Sequence, residues 1–223
     1  MKNDHLDVDR LKAELLGAIT PHVPFEGWSE PAFRAAVADL GVDEALARIV
    51  CPRGAVDLAV EYHRAGDRAM EAAIAAADFT GMKFRDKIAA AVLLRLEAVD
   101  RELVSRGASV FALPQNAATG SKLIWETADR IWAALGDTSR DYNWYTKRMT
   151  LSAVYGATVL FWLGDDSEGG VETRAFLDRR IEGVMTFEKV KGKVLGLPFL
   201  KEMLGAVKAP EPADLPGRMG GAR

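Results

Sequence analysis

Apolar residues recur at helical intervals along most of this 223-residue chain, and this spacing constrains the fold more than any other feature. Leu11, Leu15 and Ile19 fall on one face of a first helix, which ends before Pro21 because the proline ring and its missing N–H discourage continuation. Few segments alternate apolar and polar residues over the length of a strand. The sequence therefore predicts an all-α fold.

The segment from residue 29 to residue 50 has the pattern of a helix, a glycine turn and a second helix. Ser29 is a typical N-cap ahead of Pro31, Gly41 is placed to end the first helix, and Asp43 is placed to begin the second. This arrangement resembles the helix-turn-helix of TetR-type repressors, which place the second helix in the major groove of DNA.

The charge of this segment argues against DNA binding. Residues 29 to 62 contain three arginines and six acidic residues, a net charge of -3, and Asp43 and Glu44 begin the second helix. Because phosphate neutralisation supplies most non-specific DNA affinity, this helix would be repelled by the backbone that it must approach. We therefore favour a degenerate helix-turn-helix with no nucleic-acid partner; a TetR-type transcriptional regulator that binds DNA and a hydrophobic inducer is the alternative.

Two segments are apolar enough to require burial. A long helix is predicted from residue 83 to about residue 105, and its stretch from Ile88 to Leu94 is apolar on every side, so it must be covered all round. The uncharged stretch from Met149 to Gly164 is shorter than the about 20 apolar residues that span a bilayer. We expect a buried helix there.

No motif of a catalytic or metal site is present. The three histidines show no two-histidine spacing for zinc and no Glu-x-x-His pair, and the nucleophile elbow, phosphate loop and dinucleotide fingerprint are missing. Cys51, the single cysteine, permits no intrachain disulfide and is predicted to be a buried structural thiol. We therefore predict a protein that is not an enzyme and has no catalytic residue, no metal and no cofactor.

The most informative block runs from Gly136 to Arg148 and reads Gly-Asp-Thr-Ser-Arg-Asp-Tyr-Asn-Trp-Tyr-Thr-Lys-Arg. Two interpretations fit these residues about equally. Either Asp and Asn form a turn and an N-cap while the aromatics close the core, or Trp144 and Tyr145, flanked by Lys147 and Arg148, form a spot that contacts a partner.

This block, together with the uncharged helix that follows it, resembles the signature of the coenzyme Q lipid-presenting family. The resemblance covers about residues 83 to 190 and includes Leu-Pro-Gln-Asn at 113–116, Ile-Trp at 131–132 and Phe-Leu-Asp-Arg-Arg at 176–180. It implies a TetR-like helical homodimer of ubiquinone biosynthesis that has lost DNA binding. It further implies that the protein holds an isoprenoid quinone intermediate and presents this lipid to the demethoxyubiquinone hydroxylase.

The resemblance also suggests positions for the binding sites. Carried over by position, the family's partner patch falls on Ile131, Asp141, Trp144 and Tyr145. The cavity residues have no motif, and an ordinary core role fits each of them at least as well. From apolar position we select as lipid-binding residues Leu93, Leu96, Phe111, Leu123, Val154 and Phe161.

The last part of the chain is predicted to be an amphipathic helix that contacts an anionic membrane surface. Pro198 fits the first turn of a helix that runs to about Lys208, and residues 189 to 208 contain five lysines against one glutamate. Lysines beside an apolar face favour reversible binding to anionic lipid. The predicted membrane residues are Leu197, Phe199, Leu200, Lys201, Met203, Leu204, Val207 and Lys208.

These features predict four regions. They are a TetR-like N-terminal region at 1–58, a lipid-binding helical domain at 59–190, the membrane-associating helix at 191–208 and a disordered tail rich in Pro and Gly at 209–223. The acidic N-terminus has no apolar run of signal-peptide length. We expect a cytoplasmic protein that is peripheral on the inner membrane face of a bacterium, or lies on the mitochondrial matrix side if the chain is a processed form.

Overall fold

The computed structural model describes residues 8–139 and 142–195, except for the side chains of Tyr142 and residues 187–195. All regular structure in these ranges is helical, which confirms the all-α prediction. The helices are α1 (Val8–Ile19), α2 (Val23–Glu26), α3 (Glu30–Leu40), α4 (Glu44–Val50), α5 (Ala55–Ala76), α6 (Phe84–Glu97), α7 (Arg101–Phe111), α8 (Pro114–Ala134), α9 (Tyr142–Leu163) and α10 (Val171–Leu195). A short 3-10 turn, Glu168–Gly170, precedes α10.

The helices form two compact units. The first contains the described residues up to Met70 together with Arg95–Leu123, and the second contains Glu71–Leu94 and the described residues from Ile124 onward. The three boundaries between the units fall inside the helices α5, α6 and α8.

The core of the first unit is built from α1, α3, α4 and the start of α5. The predicted apolar face of α1 is confirmed, because Leu11, Leu15 and Ile19 are all buried. They belong to one hydrophobic cluster with Phe33 of α3 and Leu58 of α5.

The three predicted helix caps of the helix-turn-helix segment, Ser29, Gly41 and Asp43, are also confirmed. The Ser29 hydroxyl accepts a hydrogen bond from the Ala32 N–H at 3.3 Å, and the Asp43 carboxylate accepts one from the Leu46 N–H at 3.1 Å. Gly41 ends α3 in the left-handed region, with φ of 62°. Each of these residues satisfies a helix end by local interactions.

The arginines of this segment pair with its own carboxylates. Arg34 Nε lies 3.1 Å from Glu30 and 3.6 Å from Glu44, and Arg48 pairs with the same two glutamates. The exposed ion pairs add little stability. They do mean that Arg34 and Arg48 already have anionic neighbours within the protein.

The prediction of one long helix from residue 83 to about residue 105 is wrong. The chain forms α6 and α7 instead, with the break at residues 98–100. Asp100 begins α7 because its carboxylate accepts the Leu103 N–H at 3.0 Å, while its own N–H donates to the Tyr62 hydroxyl at 2.8 Å. The apolar spacing continues across the break, so Leu103 is still buried.

A buried ion pair joins α5 and α6 within the first unit. Arg95 Nε lies 2.6 Å from Asp67 Oδ1, and Arg95 Nη2 donates to the His63 carbonyl at 2.9 Å. The side chains of Arg95 and Asp67 are 2% and 0% exposed. Gly66 permits this close approach, since a Cβ there would stand 2.6 Å from Val99 Cγ1 and 2.7 Å from Arg95 Nη1.

Replacing Arg95 by leucine is expected to lower the free energy of unfolding by about 3–5 kcal/mol, because Asp67 is then left buried without its counter-charge. Urea denaturation measures this change. Arg68→Leu is the matched control, since the Arg68 side chain is 54% exposed and its pair with Glu61 contributes about 0–1 kcal/mol. Equal losses in the two variants would contradict a structural role for the buried pair.

The second unit contains a hairpin of α9 and α10. Phe161 and Phe176 stack with ring centroids 4.4 Å apart, and Leu177 is fully buried. Asp165 closes the turn by accepting hydrogen bonds from the Ser167 N–H at 2.9 Å and the Thr173 N–H at 2.8 Å. Hydrogen bonds from Ser167 and Thr173 hold the pKa of the Asp165 carboxyl well below its usual range.

Candidate functional site

The block at 136–148 connects α8 to α9. Gly136, with φ of 81°, turns the chain at the end of α8, and the Asp137 N–H donates to the Trp132 carbonyl at 2.9 Å. Residues 140 and 141 lie outside the described ranges, and α9 begins at Tyr142. Asp137 therefore lies in the loop after α8, and Trp144, Tyr145, Lys147 and Arg148 lie in the first turns of α9.

Arg148 is the centre of a buried ion network. Its side chain is 3% exposed, its Nη1 donates to Asp137 Oδ2 at 2.9 Å, and its Nε donates to Asp129. The same Nη1 donates to the Trp144 carbonyl at 3.1 Å. Because Asp129 belongs to α8 and Asp137 to the loop, one guanidinium holds α8, the loop and the first turns of α9 together.

Lys147 extends the network on the other side of Asp137. Lys147 Nζ donates to Asp137 Oδ1 at 2.9 Å and to Ser139 Oγ at 2.6 Å, and Ser139 Oγ donates to the same carboxylate oxygen at 2.8 Å. Burial by itself raises the pKa of the Asp137 carboxyl, but hydrogen bonds from Lys147, Ser139 and Arg148 outweigh it and lower the pKa to about 2. Asp137 is thus held as an anion.

Aromatic rings cover the network. The Arg148 guanidinium carbon lies 4.1 Å from the centroid of the Trp144 ring, within cation–π distance. Trp125 of α8 contacts two aromatic residues of the block, with centroids 6.1 Å from Trp144 and 5.1 Å from Tyr145. Trp144 is buried, whereas Trp125 and Tyr145 are half-buried and present part of their surface.

The residues predicted to contact a partner are distributed between the core and the surface. Ile131 is fully buried and Trp144 is 6% exposed, so their packing in this chain fits the turn-and-core interpretation of the block. Tyr145 is half-buried, and Asp141 lies outside the described residues. The partner role of all four residues remains a prediction.

Sequence reasoning missed Trp125. A usable signal was present, because Trp125 precedes Asp129 by four residues and therefore shares its face of α8. Trp125 and Tyr145 together form what we call the aromatic surface of the second unit.

The six residues predicted to bind lipid are divided equally between the two units. Leu96, Phe111 and Leu123 belong to the first unit, where Phe111 packs against the hydrophobic cluster. Leu93, Val154 and Phe161 belong to the second. Their lipid-binding role remains a prediction.

The structure describes the predicted buried thiol but not the predicted membrane residues. Cys51 is buried, as predicted, and burial raises the pKa of its thiol to about 11. The eight predicted membrane residues, from Leu197 to Lys208, all lie outside the described ranges. Within those ranges, no helix has the length and apolar character of a membrane span, and no group of three or more His, Cys, Asp or Glu is placed to hold a metal.

The ion network predicts a specific pH dependence of stability. Asp137→Asn is expected to lower the free energy of unfolding at neutral pH by about 2–3 kcal/mol, because Arg148 loses one of its buried anionic partners. The carboxyl has a pKa of about 2 in the folded chain and about 4 when unfolded. The difference in the free energy of unfolding between the wild type and the variant is therefore fully present above about pH 4. This difference is lost as the pH falls towards 2.

Urea denaturation at neutral pH and at several acidic pH values checks this expectation. Asp178→Asn, on the exposed side of α10, serves as a control that removes a carboxylate outside the network. A difference between wild type and Asp137→Asn that stays constant down to about pH 2 would exclude this linkage.

Comparison with known proteins gives sequence relatives and a structural neighbour. Residues 117–188 match the COQ9 family. The chain is 26% identical over 220 residues to "Ubiquinone biosynthesis protein COQ9, mitochondrial" of Rattus norvegicus, covering 92% of this chain and 69% of the relative. It is 25% identical over 219 residues to the Homo sapiens protein of the same name, covering 92% and 68%. A probable coq9 protein of Dictyostelium discoideum is 26% identical over 193 residues, covering 82% and 62%.

A crystal structure of a TetR transcriptional regulator from Nitrosomonas europaea ATCC 19718 superimposes with a TM-score of 0.62 at 18% identity, covering 78% of this chain and 97% of the regulator. This similarity confirms the TetR-like fold. The sequence matches confirm the resemblance predicted from the block at 136–148.

Proposed function

We propose that this relative of the COQ9 proteins of ubiquinone biosynthesis is a non-catalytic accessory protein, which binds an isoprenoid quinone intermediate and presents it to the demethoxyubiquinone hydroxylase at a membrane. The observation that carries the proposal is the match over residues 117–188, since this segment contains the ion network and the aromatic surface. The relatives are named as mitochondrial, and we place this protein peripherally on the inner membrane face.

The aromatic surface supports a contact with the hydroxylase. Aromatic residues on a rigid base concentrate binding energy, because they bury much area and lose little conformational freedom. Arg148 and its two aspartates provide such a base beneath Trp144. Trp125 packs on Trp144, and Tyr145 packs on Trp125.

Tyr145→Ala is expected to weaken association with the purified hydroxylase by about 2 kcal/mol while leaving the melting temperature nearly unchanged, because its ring is half-buried at the aromatic surface. Trp144→Ala should lower both affinity and stability, since this ring is buried against Arg148. Isothermal titration calorimetry and thermal denaturation measure the two effects separately.

Asn143→Ala is the matched control, because Asn143 is exposed in the same turn of α9. Its affinity should equal that of the wild type. If Tyr145→Ala lowers the melting temperature but the folded protein binds the hydroxylase normally, Tyr145 has only a packing role.

An apolar strip on α9 supports association of two copies of the chain. Met149 is 48% exposed and Leu160 is 69% exposed. With exposed Ala153 between them they share one helical face, and no charged residue occurs from Met149 to Gly164. Such a strip is unfavourable in water and fits the self-complementary interface of a two-fold homodimer.

Native mass spectrometry of protein prepared without detergent is expected to show a dimer that retains isoprenoid quinone. Leu160→Arg should give monomers, because it places a charge in the apolar strip. Ala118→Arg, at an exposed position of α8, adds the same charge elsewhere and should leave the dimer intact. A dimeric Leu160→Arg protein would exclude this interface, and consistent absence of quinone would contradict the lipid-binding proposal.

The second candidate is a TetR-type regulator, which the fold similarity favours. The pairing of Arg34 and Arg48 with Glu30 and Glu44 disfavours it, because these arginines would have to leave carboxylates to reach phosphates. A duplex titration at two salt concentrations separates the candidates, since a DNA-binding protein shows steep salt dependence.

A further inference from the structure

A groove of about 460 Å³ lies in the second unit, between the end of α5, the start of α6 and the end of α8. Its volume is within the range of small-molecule sites. Most of its lining is apolar and comprises Ile74, Ala75, Phe79, Ala134 and Leu135. Two charged residues, Glu71 and Lys87, complete it.

The two charged residues differ in their pairing. Both oxygens of Glu71 accept hydrogen bonds from Arg130 Nη1, at 2.9 and 3.1 Å, so the carboxylate is offset by a neighbouring cation. Lys87, which is half-buried, makes no ion pair with any residue in the described ranges. The charge that the groove offers to a ligand is therefore a single positive one.

We infer that this groove binds a long-chain carboxylate, with the alkyl chain along Ile74, Phe79 and Leu135 and the carboxylate at the Lys87 ammonium. An apolar trough and one unpaired cation complement a single-chain amphiphile that carries one negative charge. A phosphate head group, with a charge of about -1.5 to -2, would exceed what one lysine offsets.

This ligand class differs from a quinone, whose head group is neutral and forms no ion pair with Lys87. The inference therefore stands or falls independently of quinone binding and of the contact with the hydroxylase.

Displacement of the fluorescent fatty acid cis-parinaric acid from the full chain tests the head-group preference. Palmitate should displace the probe about tenfold more effectively than hexadecanol, because only the carboxylate forms an ion pair with Lys87 in addition to a hydrogen bond. Hexadecyl phosphate should compete less well than palmitate. Lys87→Met should weaken palmitate binding about tenfold and hexadecanol binding much less, because the alcohol loses a hydrogen bond but no ion pair. Lys83→Met makes the same charge change four residues earlier, outside the groove lining, and should bind like the wild type.

Filling the groove tests the location. Ala134→Trp should abolish binding of the probe, whereas Ala133→Trp, at the adjacent exposed position outside the lining, should not. Ala75→Trp, from α5, blocks the same groove if the first variant folds poorly. The inference is overturned if the wild type does not bind the probe, if both groove-filling variants bind it normally, or if hexadecanol or hexadecyl phosphate matches palmitate. An unchanged affinity of Lys87→Met for palmitate overturns it as well.

Discussion

A guanidinium that cannot lose its charge is buried at the start of α9, and the local structure of the second unit depends on keeping it paired. Burying a charge costs several kcal/mol unless opposite charges and hydrogen bonds surround it. Asp129 and Asp137 meet that requirement for Arg148, and Lys147 further holds Asp137 in place. Because these partners come from α8, the loop and α9, satisfying one charge also fixes the relative position of the three segments.

This requirement places Asp137 and Arg148 of the block at 136–148 in the interior of the fold, where each side chain is 3% exposed. The sequence allows Lys147 and Arg148 to flank a partner-contact spot as surface cations. In the structure Arg148 is buried against Trp144, and Lys147 Nζ is hydrogen-bonded to Asp137 and Ser139. The partly exposed residues of the site are Trp125, Tyr145 and Lys147, while the ion pair of Arg148 and Asp137 is buried against Trp144.

The parts of the fold that depend on adjacent residues could be predicted from the sequence. Ser29, Gly41 and Asp43 were identified correctly because an N-cap or a left-handed glycine satisfies backbone groups within a few residues of itself. The break before α7 was missed although Asp100 is an N-cap of the same local kind, because the apolar periodicity that continues across the break favoured one helix. The Tyr62 hydroxyl, 38 residues away in sequence, accepts the Asp100 N–H there, and apolar periodicity carries no record of such a contact.

For the same reason, the sequence could not decide whether Trp144 is buried, since the spacing of residues along one helix does not show whether a ring from another helix covers it.

The two proposed sites use different faces of α8. Trp125 and Ala134 are nine residues apart, which at about 100° per residue places them on opposite faces of the helix. Trp125 contributes to the aromatic surface and Ala134 lines the groove. A partner bound at the aromatic surface would therefore leave the groove face of α8 uncovered, so both can be occupied at once.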